Sequence, residues 1–231
     1  MLDDLGSARN TDQLQRLICN CSLCPRLVEW RRKVAREKVA RFSDQTYWGK
    51  PVPSLGQQDA RLLLVGLAPA AHGGNRTGRM FTGDRSGDWL YRALHRFGFA
   101  SQACSASRED GLELIDCYIT AVLHCAPPQN KPEPQEIARC RPYLARELQL
   151  LQQVRVIVAL GKLAFDNVWA LSAANATIPR PKFCHGLEVS LNFNRTLIAS
   201  FHPSQQNTFT GKLTEAMLDK IFERAGRLVN G

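Results

Sequence analysis

Two kinds of hydrophobic pattern alternate along the chain from residue 61 to its end. Four short, nearly continuous apolar runs are typical of buried parallel strands: 61–67, 114–124, 154–161 and 195–203. Apolar residues at helical spacing between and after these runs predict four helices: 86–99, 132–151, 162–171 and 211–229. This alternation predicts the α/β class, with a three-layer α/β/α sandwich around a mostly parallel four-stranded sheet.

The segments before residue 61 predict two further helices, over 11–20 and 26–41, and an irregular loop over 43–56. Within the later helices, Ser86 is the expected N-cap of the first, and Pro142 is expected to kink or break the second. Since the chain has no repeat or low-complexity segment, residues 1–231 are expected to form a single domain.

The strand–helix alternation also predicts where a ligand binds. In open parallel sheets, ligands bind outside the carboxyl ends of the strands. The loops after Leu67, His124, Leu160 and Phe201 would share that edge. This edge is therefore the candidate site.

The charge balance favours a polyanionic partner. The 231 residues include 30 Lys and Arg against 21 Asp and Glu, which gives a net charge of +9. Such a balance is typical of many nucleic-acid-binding proteins, although it does not require that function. The first residues lack the apolar core of a targeting signal, and no apolar run is long enough for a membrane span. A soluble, cytoplasmic protein without a membrane partner is predicted.

Four of the eight cysteines form a candidate tetrathiolate site. Cys21 and Cys24 have the two-residue spacer of a metal-binding pair, and Cys125 and Cys140 flank the segment APPQNKPEPQEIAR. Cys19 is an alternative to Cys21. Both zinc and an iron–sulfur cluster accept four thiolates, so the residues alone leave the metal open. The other cysteines are expected to be small buried hydrophobic residues: Cys104, Cys117 and Cys184.

The segment after the first strand, GLAPAAHGGNRTGRMFTGDRSG, is too long for a simple strand-to-helix connection. Its small residues allow the backbone to approach a planar ligand and to offer N–H donors from residues 68–72. Phe81 could stack on a ring. Asp84 has two interpretations, as a group that holds a water molecule or as a helix N-cap. A phosphate-binding P-loop is disfavoured because its GxxxxGK[ST] pattern is absent.

Three motifs in order, GLAPAAHGGNRTGRMFTGDRSG, HCAPPQNKP and FHPSQQNTFTGKLT, together with CSLCPR near the start, resemble family 5 uracil-DNA glycosylases. The resemblance extends from about residue 21 to about residue 217. It implies the uracil-DNA glycosylase fold, in agreement with the predicted sandwich.

The resemblance also implies roles for individual residues. Cys21, Cys24, Cys125 and Cys140 would hold a structural [4Fe-4S] cluster that ties in the helical segment 11–41. Asp84 would activate water, and Asn130 would support catalysis. The implied base-binding residues are Ala68, Ala70, His72, Phe81 and His202. The implied DNA contacts are Arg76, Arg79, Arg85, Ser204, Gln205, Gln206 and Asn207.

Two departures from related families predict a broad substrate range. The turn after the first strand offers only Leu67, Ala68 and Ala70 where cousin families carry a polar or acidic catalytic residue. Ala121 stands where type-4 relatives have a uracil-reading asparagine. With fewer uracil-specific hydrogen bonds, discrimination should loosen, so hypoxanthine and xanthine are expected substrates beside uracil.

The resulting prediction is a glycosylase that acts on deaminated bases in double-stranded DNA and leaves an abasic site. No lysine nucleophile is evident, so a monofunctional enzyme without strand cleavage is expected. It would act as a monomer in the cytoplasm, associated with a bacterial or archaeal nucleoid, and no clamp or other repair partner is identifiable. The alternative is a non-catalytic DNA-binding module with a structural zinc.

Overall fold

A computed structural model describes residues 3–172 and 179–231. Its strands are β1 (Leu55–Gly56), β2 (Leu62–Gly66), β3 (Cys117–Ala121), β4 (Val156–Leu160), β5 (Glu188–Leu191) and β6 (Arg195–Ser200). Its α-helices are α1 (Thr11–Cys19), α2 (Pro25–Glu37), α3 (Gly74–Thr77), α4 (Arg85–Arg96), α5 (Pro134–Leu150), α6 (Lys162–Ser172), α7 (Gln205–Phe209) and α8 (Glu215–Asn230). Short 3₁₀ helices lie at Asp3–Ser7, Ala40–Phe42 and Pro128–Asn130.

The strands form one sheet in the order β1-β3-β2-β4-β6-β5. The four central strands are parallel and coincide with the four predicted runs, which confirms that part of the prediction. The outer strands β1 and β5 pair antiparallel and make the sheet six-stranded instead of four-stranded. Neither edge strand carries a buried apolar run, since β1 has two residues and β5 is half exposed.

The two sides of the sheet are covered by different helices, as predicted for a three-layer sandwich. On one side, Leu90 and Leu94 of α4 and Phe222 of α8 pack in one buried cluster with β-strand residues such as Leu64 and Val158. On the other side, the helix residues of the cluster come from α5 and α6: Leu144, Leu148, Phe165 and Val168. Alternate residues of each central strand therefore face opposite helical layers.

The structure corrects three predicted helix features. α2 ends at Glu37, because Lys38 has a φ of 53° that stops the helix before the predicted end at 41. α5 runs through Pro142 without a break, so of the expected kink or break the break is excluded. Buried side chains just after the proline, Tyr143, Leu144 and Glu147, hold the helix in place despite the lost hydrogen bond.

The third correction concerns the start of α4. Its N-cap is Asp84, whose side chain accepts hydrogen bonds from the backbone N–H groups of Ser86 and Gly87. Ser86 is therefore inside the helix and is not the cap. Among the described residues, no helix is long and apolar enough to cross a membrane.

Candidate active site

The loop between β2 and α4, residues 67–84, lies at the carboxyl edge of the sheet. The chain after β3 pairs with its start, since Val122 and Leu123 donate backbone hydrogen bonds to Gly66 and Leu67. His202, which follows β6, stacks on Phe81 of the loop and lies beside Gly161 after β4. The segments after all four parallel strands thus meet at the predicted edge.

Arg76 holds the loop together from inside. Its guanidinium is 8% exposed and donates to His72 O at 2.7 Å, to Gly83 O at 3.1 Å and to Gln45 Oε1 at 2.5 Å. The same group lies 3.9 Å from the ring centroid of Phe42. These contacts give Arg76 a structural role inside the loop, and its predicted phosphate contact stays a prediction.

Arg79 is buried in the same way, with 5% exposure. It donates to Asp110 Oδ2 at 2.6 Å, to Ser105 Oγ at 2.6 Å and to Thr82 Oγ1 at 3.0 Å. Its guanidinium holds the pKa of Asp110 down at about 2, against the opposing effect of burial. The donors of Arg79 are therefore also used inside the protein, and its predicted phosphate contact stays a prediction.

Asp84 has two differently placed carboxylate oxygens. Oδ1 accepts from Ser86 N at 2.9 Å and from Gly87 N at 3.1 Å, which caps α4. Oδ2 lies against the backbone of Gly73, where even one methyl group would collide with it. Burial raises the pKa of Asp84, and the two amide hydrogen bonds oppose that shift. Asp84 can therefore be both the helix N-cap and a group that holds a water molecule, because the cap uses only one oxygen.

Phe81 forms the aromatic part of the site. It has a φ of 53°, a left-handed conformation that costs strain for a non-glycine residue. The ring is packed against Gly66, where a Cβ would lie 2.7 Å from Phe81 Cζ. The His202 ring stacks on it at a centroid distance of 5.9 Å and an angle of 30°. Burial lowers the pKa of His202 to about 4, so this histidine is neutral at physiological pH.

The backbone between Ala68 and His72 offers free donors. Among the described residues, no acceptor pairs with the N–H groups of Ala68, Ala70, Ala71 or His72. The side chains of Ala68, Ala70 and His72 are partly exposed at this edge. His72 Nδ1 forms a hydrogen bond with Tyr47 Oη at 3.0 Å, and burial, with a smaller effect of Arg76, lowers the pKa of His72.

The segment after β6 contains α7, which the sequence did not predict. Ser204 Oγ caps this helix by accepting from Asn207 N at 3.4 Å, and the Asn207 side chain donates to His202 O at 2.9 Å. Gln205 and Gln206 are exposed. Ser204 and Asn207 therefore shape the turn, whereas the two glutamines are accessible to a partner.

Two further predicted site residues, Arg85 and Asn130, lie in accessible positions. Arg85 donates to Thr208 Oγ1 at 3.2 Å and lies 4.3 Å from the ring centroid of Phe209, so it joins α4 to α7. Asn130 is exposed in the 3₁₀ turn after β3, where Gln129 and Asn130 both have positive φ. Both residues remain accessible from solvent.

Comparison with known proteins assigns this architecture to a family. A family model described as the uracil DNA glycosylase superfamily matches residues 53–226. A type-5 uracil-DNA glycosylase from Mycobacterium bovis is 50% identical over 224 residues, which cover 96% of this chain and 83% of that protein. Those from Thermus thermophilus and Pyrobaculum aerophilum are 47% and 44% identical, covering 90% and 93% of this chain and 93% and 91% of theirs. The chain is a type-5 member of the uracil-DNA glycosylase superfamily.

In this type-5 uracil-DNA glycosylase family member, the four predicted thiols line one apolar cavity beside the carboxyl edge of the sheet: Cys21, Cys24, Cys125 and Cys140. Cys19 does not line it, which favours Cys21 over Cys19 as a ligand. Cys117 is buried as predicted, but Cys104 and Cys184 are exposed, so the prediction for those two is wrong. Within residues 3–172 and 179–231, no three His, Cys, Asp or Glu side chains are arranged to hold a single metal ion.

The walls of the thiol cavity carry buried donors without acceptors. Arg31 Nη1 donates to Cys125 Sγ at 2.9 Å, while its Nε has no partner among the described residues. The Tyr143 hydroxyl is likewise buried and unpaired there. Because such orphaned donors are costly, they indicate an electron-rich group between them. The donor set therefore fits a sulfur-rich anionic cluster held by the four thiolates.

Burial disfavours the charged form of three of these thiols. It raises the pKa of Cys125 to about 11, with Arg31 opposing the shift, and it raises the pKa values of Cys24 and Cys140 as well. A bound metal must therefore displace protons from the thiols.

Sequence reasoning missed the residues that support the site. Arg31 lies on the inner face of α2 with Leu27 and Val34, at helical spacing that could have identified it as buried. Tyr47 and Tyr143 gave no such signal, because each acts through a partner distant in the sequence. The internal partners of Arg76 and Arg79 were not predicted for the same reason, since they are also distant in the sequence.

Replacing Gly73 by alanine tests how tightly the Asp84 carboxylate is held in this superfamily member. The added methyl would displace Oδ2, and the carboxylate cannot turn without losing its cap bonds to Ser86 and Gly87. We expect the free energy of unfolding, measured by urea denaturation, to fall by about 1 kcal/mol, the usual value of a lost N-cap.

Gly226→Ala in α8 is the matched control. Its Cβ would meet nothing closer than 3.8 Å, so alanine should stabilise the helix by about 0.8 kcal/mol. An unchanged or increased stability of Gly73→Ala would contradict the described packing.

Proposed function

We propose that the chain is a monofunctional DNA glycosylase that removes uracil, hypoxanthine and xanthine from duplex DNA and leaves an abasic site. The observation that carries this proposal is the placement of Asp84 Oδ2, Phe81 and the unpaired amides of residues 68–72 on one loop at the carboxyl edge. The family membership and the names of the relatives support an enzyme acting on uracil in DNA over a non-catalytic DNA-binding module.

Asp84 activates and directs the water molecule that hydrolyses the glycosidic bond. Oδ1 is held by the helix cap, so the orientation of the carboxylate is fixed before substrate arrives. Oδ2 accepts a hydrogen bond from the attacking water and directs it to the anomeric carbon of the sugar. The C–N bond breaks as the C–O bond forms, and the water's proton passes to Asp84. The ionised carboxylate also favours the oxocarbenium-like sugar electrostatically.

The opposite side of the site receives the departing base. The electron pair of the broken bond stays on the base, where the N–H groups of Ala68, Ala70 and His72 stabilise the developing negative charge. The nucleotide must first be extruded from the duplex, and Phe81 then stacks on its base. Phe81 is 8% exposed and already stacked on His202, so the His202 ring must give way to admit the base.

The substrate range follows from apolar residues around this position. Ala121 at the end of β3 is buried, and Ala68 and Ala70 are the partly exposed side chains of the turn. None of the three can form a hydrogen bond through its side chain. Backbone donors without a polar side-chain reader do not reject a base with a different edge, so several deaminated bases are accepted.

The accessible residues at this edge contact the DNA around the extruded nucleotide. Arg85, Gln205 and Gln206 lie on α4 and α7 on the His202 side of the loop. Asn130 lies on the turn that follows β3 and supports base excision from that side. One chain carries all of these groups, so the enzyme acts as a monomer.

The four cavity thiols, Cys21, Cys24, Cys125 and Cys140, hold a [4Fe-4S] cluster. When bound, the cluster supplies a structural cross-link and takes no part in bond cleavage. Its sulfur atoms would provide acceptors for the buried donors of Arg31 and Tyr143. These thiols come from the α1–α2 connection, the loop after β3 and α5, so loading joins the N-terminal helices to the sheet.

Asp84→Asn tests the catalytic proposal directly. Without the carboxylate, single-turnover release of uracil from duplex DNA should fall at least about a hundredfold, the scale of acid–base catalysis. Asp88→Asn, on the exposed side of the same helix, is the matched control and should retain activity. The wild type should also process duplexes that contain hypoxanthine or xanthine.

The products of that assay separate the remaining alternatives. Strands should stay intact until alkali cleaves the abasic sites. Cleavage without alkali would contradict the monofunctional mode, and strict uracil specificity would contradict the broad base pocket. Near-normal excision by Asp84→Asn would remove this residue from the mechanism.

The rate of excision should depend on pH through Asp84. Burial raises its pKa above the ordinary 3.8, and the ionised form is the active one. The single-turnover rate should therefore decrease as the pH falls through this raised pKa, at a higher pH than for an ordinary aspartate. Burial lowers the pKa of His72 and lowers that of His202 to about 4.

The residual single-turnover rate of Asp84→Asn should not decrease in this way as the pH falls. The decrease in the wild type would then be assigned to Asp84. A decrease that persists in the variant would belong to another titrating group. A wild-type rate that stays constant down to pH 4 would show that the carboxyl group is not needed in its ionised form.

Metal analysis tests the proposed cluster. Purified protein should be brown and contain about four iron atoms and four labile sulfides per chain. Cys125→Ser should lose both, because it removes a cavity thiolate, whereas Cys104→Ser should keep them, because that thiol is exposed elsewhere. One zinc per chain without iron would overturn the cluster and support the zinc alternative.

A further inference from the structure

The helix α2 has two faces of opposite character. Leu27, Arg31 and Val34 are buried on the inner face, towards the thiol cavity and the site loop. Arg32 and Arg36 lie one helical turn apart on the outer face and are exposed. A shallow surface groove follows this outer face, lined by Ser22, Pro25, Val28, Glu29, Arg32 and Arg36.

The pair formed by Arg32 and Arg36, called the basic ridge below, is unfavourable in the free protein. Like charges at positions i and i+4 destabilise a helix by some tenths of a kcal/mol. Neither arginine has an acidic partner within 4.0 Å in the part of the chain that the structure describes. An anion placed between the two guanidinium groups would turn this repulsion into a binding site.

The C-terminal half of α2, which carries the basic ridge, is docked onto the active-site loop. The Asn75 side chain of α3 donates to Arg31 O at 3.3 Å. Gly49 packs against Ala35, and its N–H donates to Asn75 O at 3.1 Å. Asn75 belongs to the same loop as Phe81 and Asp84, so the basic ridge has a fixed position beside the catalytic edge.

We propose that the basic ridge binds the phosphate backbone of the DNA duplex beside the extruded nucleotide. This inference rests on the proposed function. Two guanidinium groups on one rigid helix suit phosphate oxygens, and such contacts fix the register of the duplex without reading its sequence. Glu29 repels phosphate at the far end of the groove, so binding is confined to the end nearest the loop. Because Arg76 and Arg79 are buried, the ridge offers exposed guanidinium groups beside the loop that these two residues do not.

Binding of an undamaged duplex to the cluster-loaded protein tests the proposal. In Arg32→Gln/Arg36→Gln, the slope of log affinity against log salt concentration should become shallower by about two, or about 0.9 per lost phosphate contact. The affinity at 0.1 M salt should fall at least about tenfold by the same relation. The thermal midpoint should not fall, because the substitution removes a repulsive pair. Arg32→Lys/Arg36→Lys should restore the salt slope.

Arg155→Gln/Arg227→Gln is the matched control, since both arginines are exposed near the amino edge of the sheet and the C-terminus of α8. It should keep the wild-type slope. A wild-type slope in the ridge variant would overturn the inference and leave the ridge to another anionic partner, and a lowered thermal midpoint would indicate a structural role instead. Because the duplex is undamaged, loss of the proposed excision activity would not alter this result.

Discussion

The carboxylate of Asp84 is the contact on which the arrangement of the site depends. One oxygen is bound by the first N–H groups of α4, and the other lies against Gly73, six residues past Leu67 at the start of the loop. The start of a helix and the turn of a long loop are thus held together through a single side chain. Burial disfavours the ionised form, whereas the helix N-terminus favours it. The acid is therefore oriented by the same bonds that keep it able to ionise.

The arginines of the loop show how its shape is maintained. Arg76 and Arg79 direct their guanidinium groups inward, onto backbone carbonyls, Gln45 and Asp110. A loop with so many glycines and alanines has little apolar surface to bury. Buried charge-assisted hydrogen bonds stabilise it instead of a hydrophobic core. Because these cations are used internally, the positive charge that meets a polyanion must come from the flanks of the loop.

Sequence patterns predicted the four parallel strands and their common edge, because a continuous apolar run has few alternatives to a buried strand. They also singled out Asp84 as either a helix N-cap or a group that holds water. The two roles do not exclude each other, because the cap bonds use only Oδ1. The patterns did not predict the internal partners of Arg76 and Arg79, such as Gln45 and Asp110, because these lie about 30 residues away in the sequence. The continuity of α5 at Pro142 likewise depends on packing by Tyr143 and Leu144, which local propensity does not contain.

The helix α2 connects the thiol cavity with the catalytic edge. The side chain of Arg31 extends towards Cys125, while its carbonyl accepts the hydrogen bond from Asn75 in the site loop. The buried guanidinium of Arg31 has a thiol and one carbonyl as its partners, and its Nε has none among the described residues. Loading of the proposed cluster would satisfy that charge and hold α2 in place through Cys24, just before its first turn. The order of the outer face of α2, and with it the spacing of Arg32 and Arg36, would then depend on the cluster even though no reacting atom touches it.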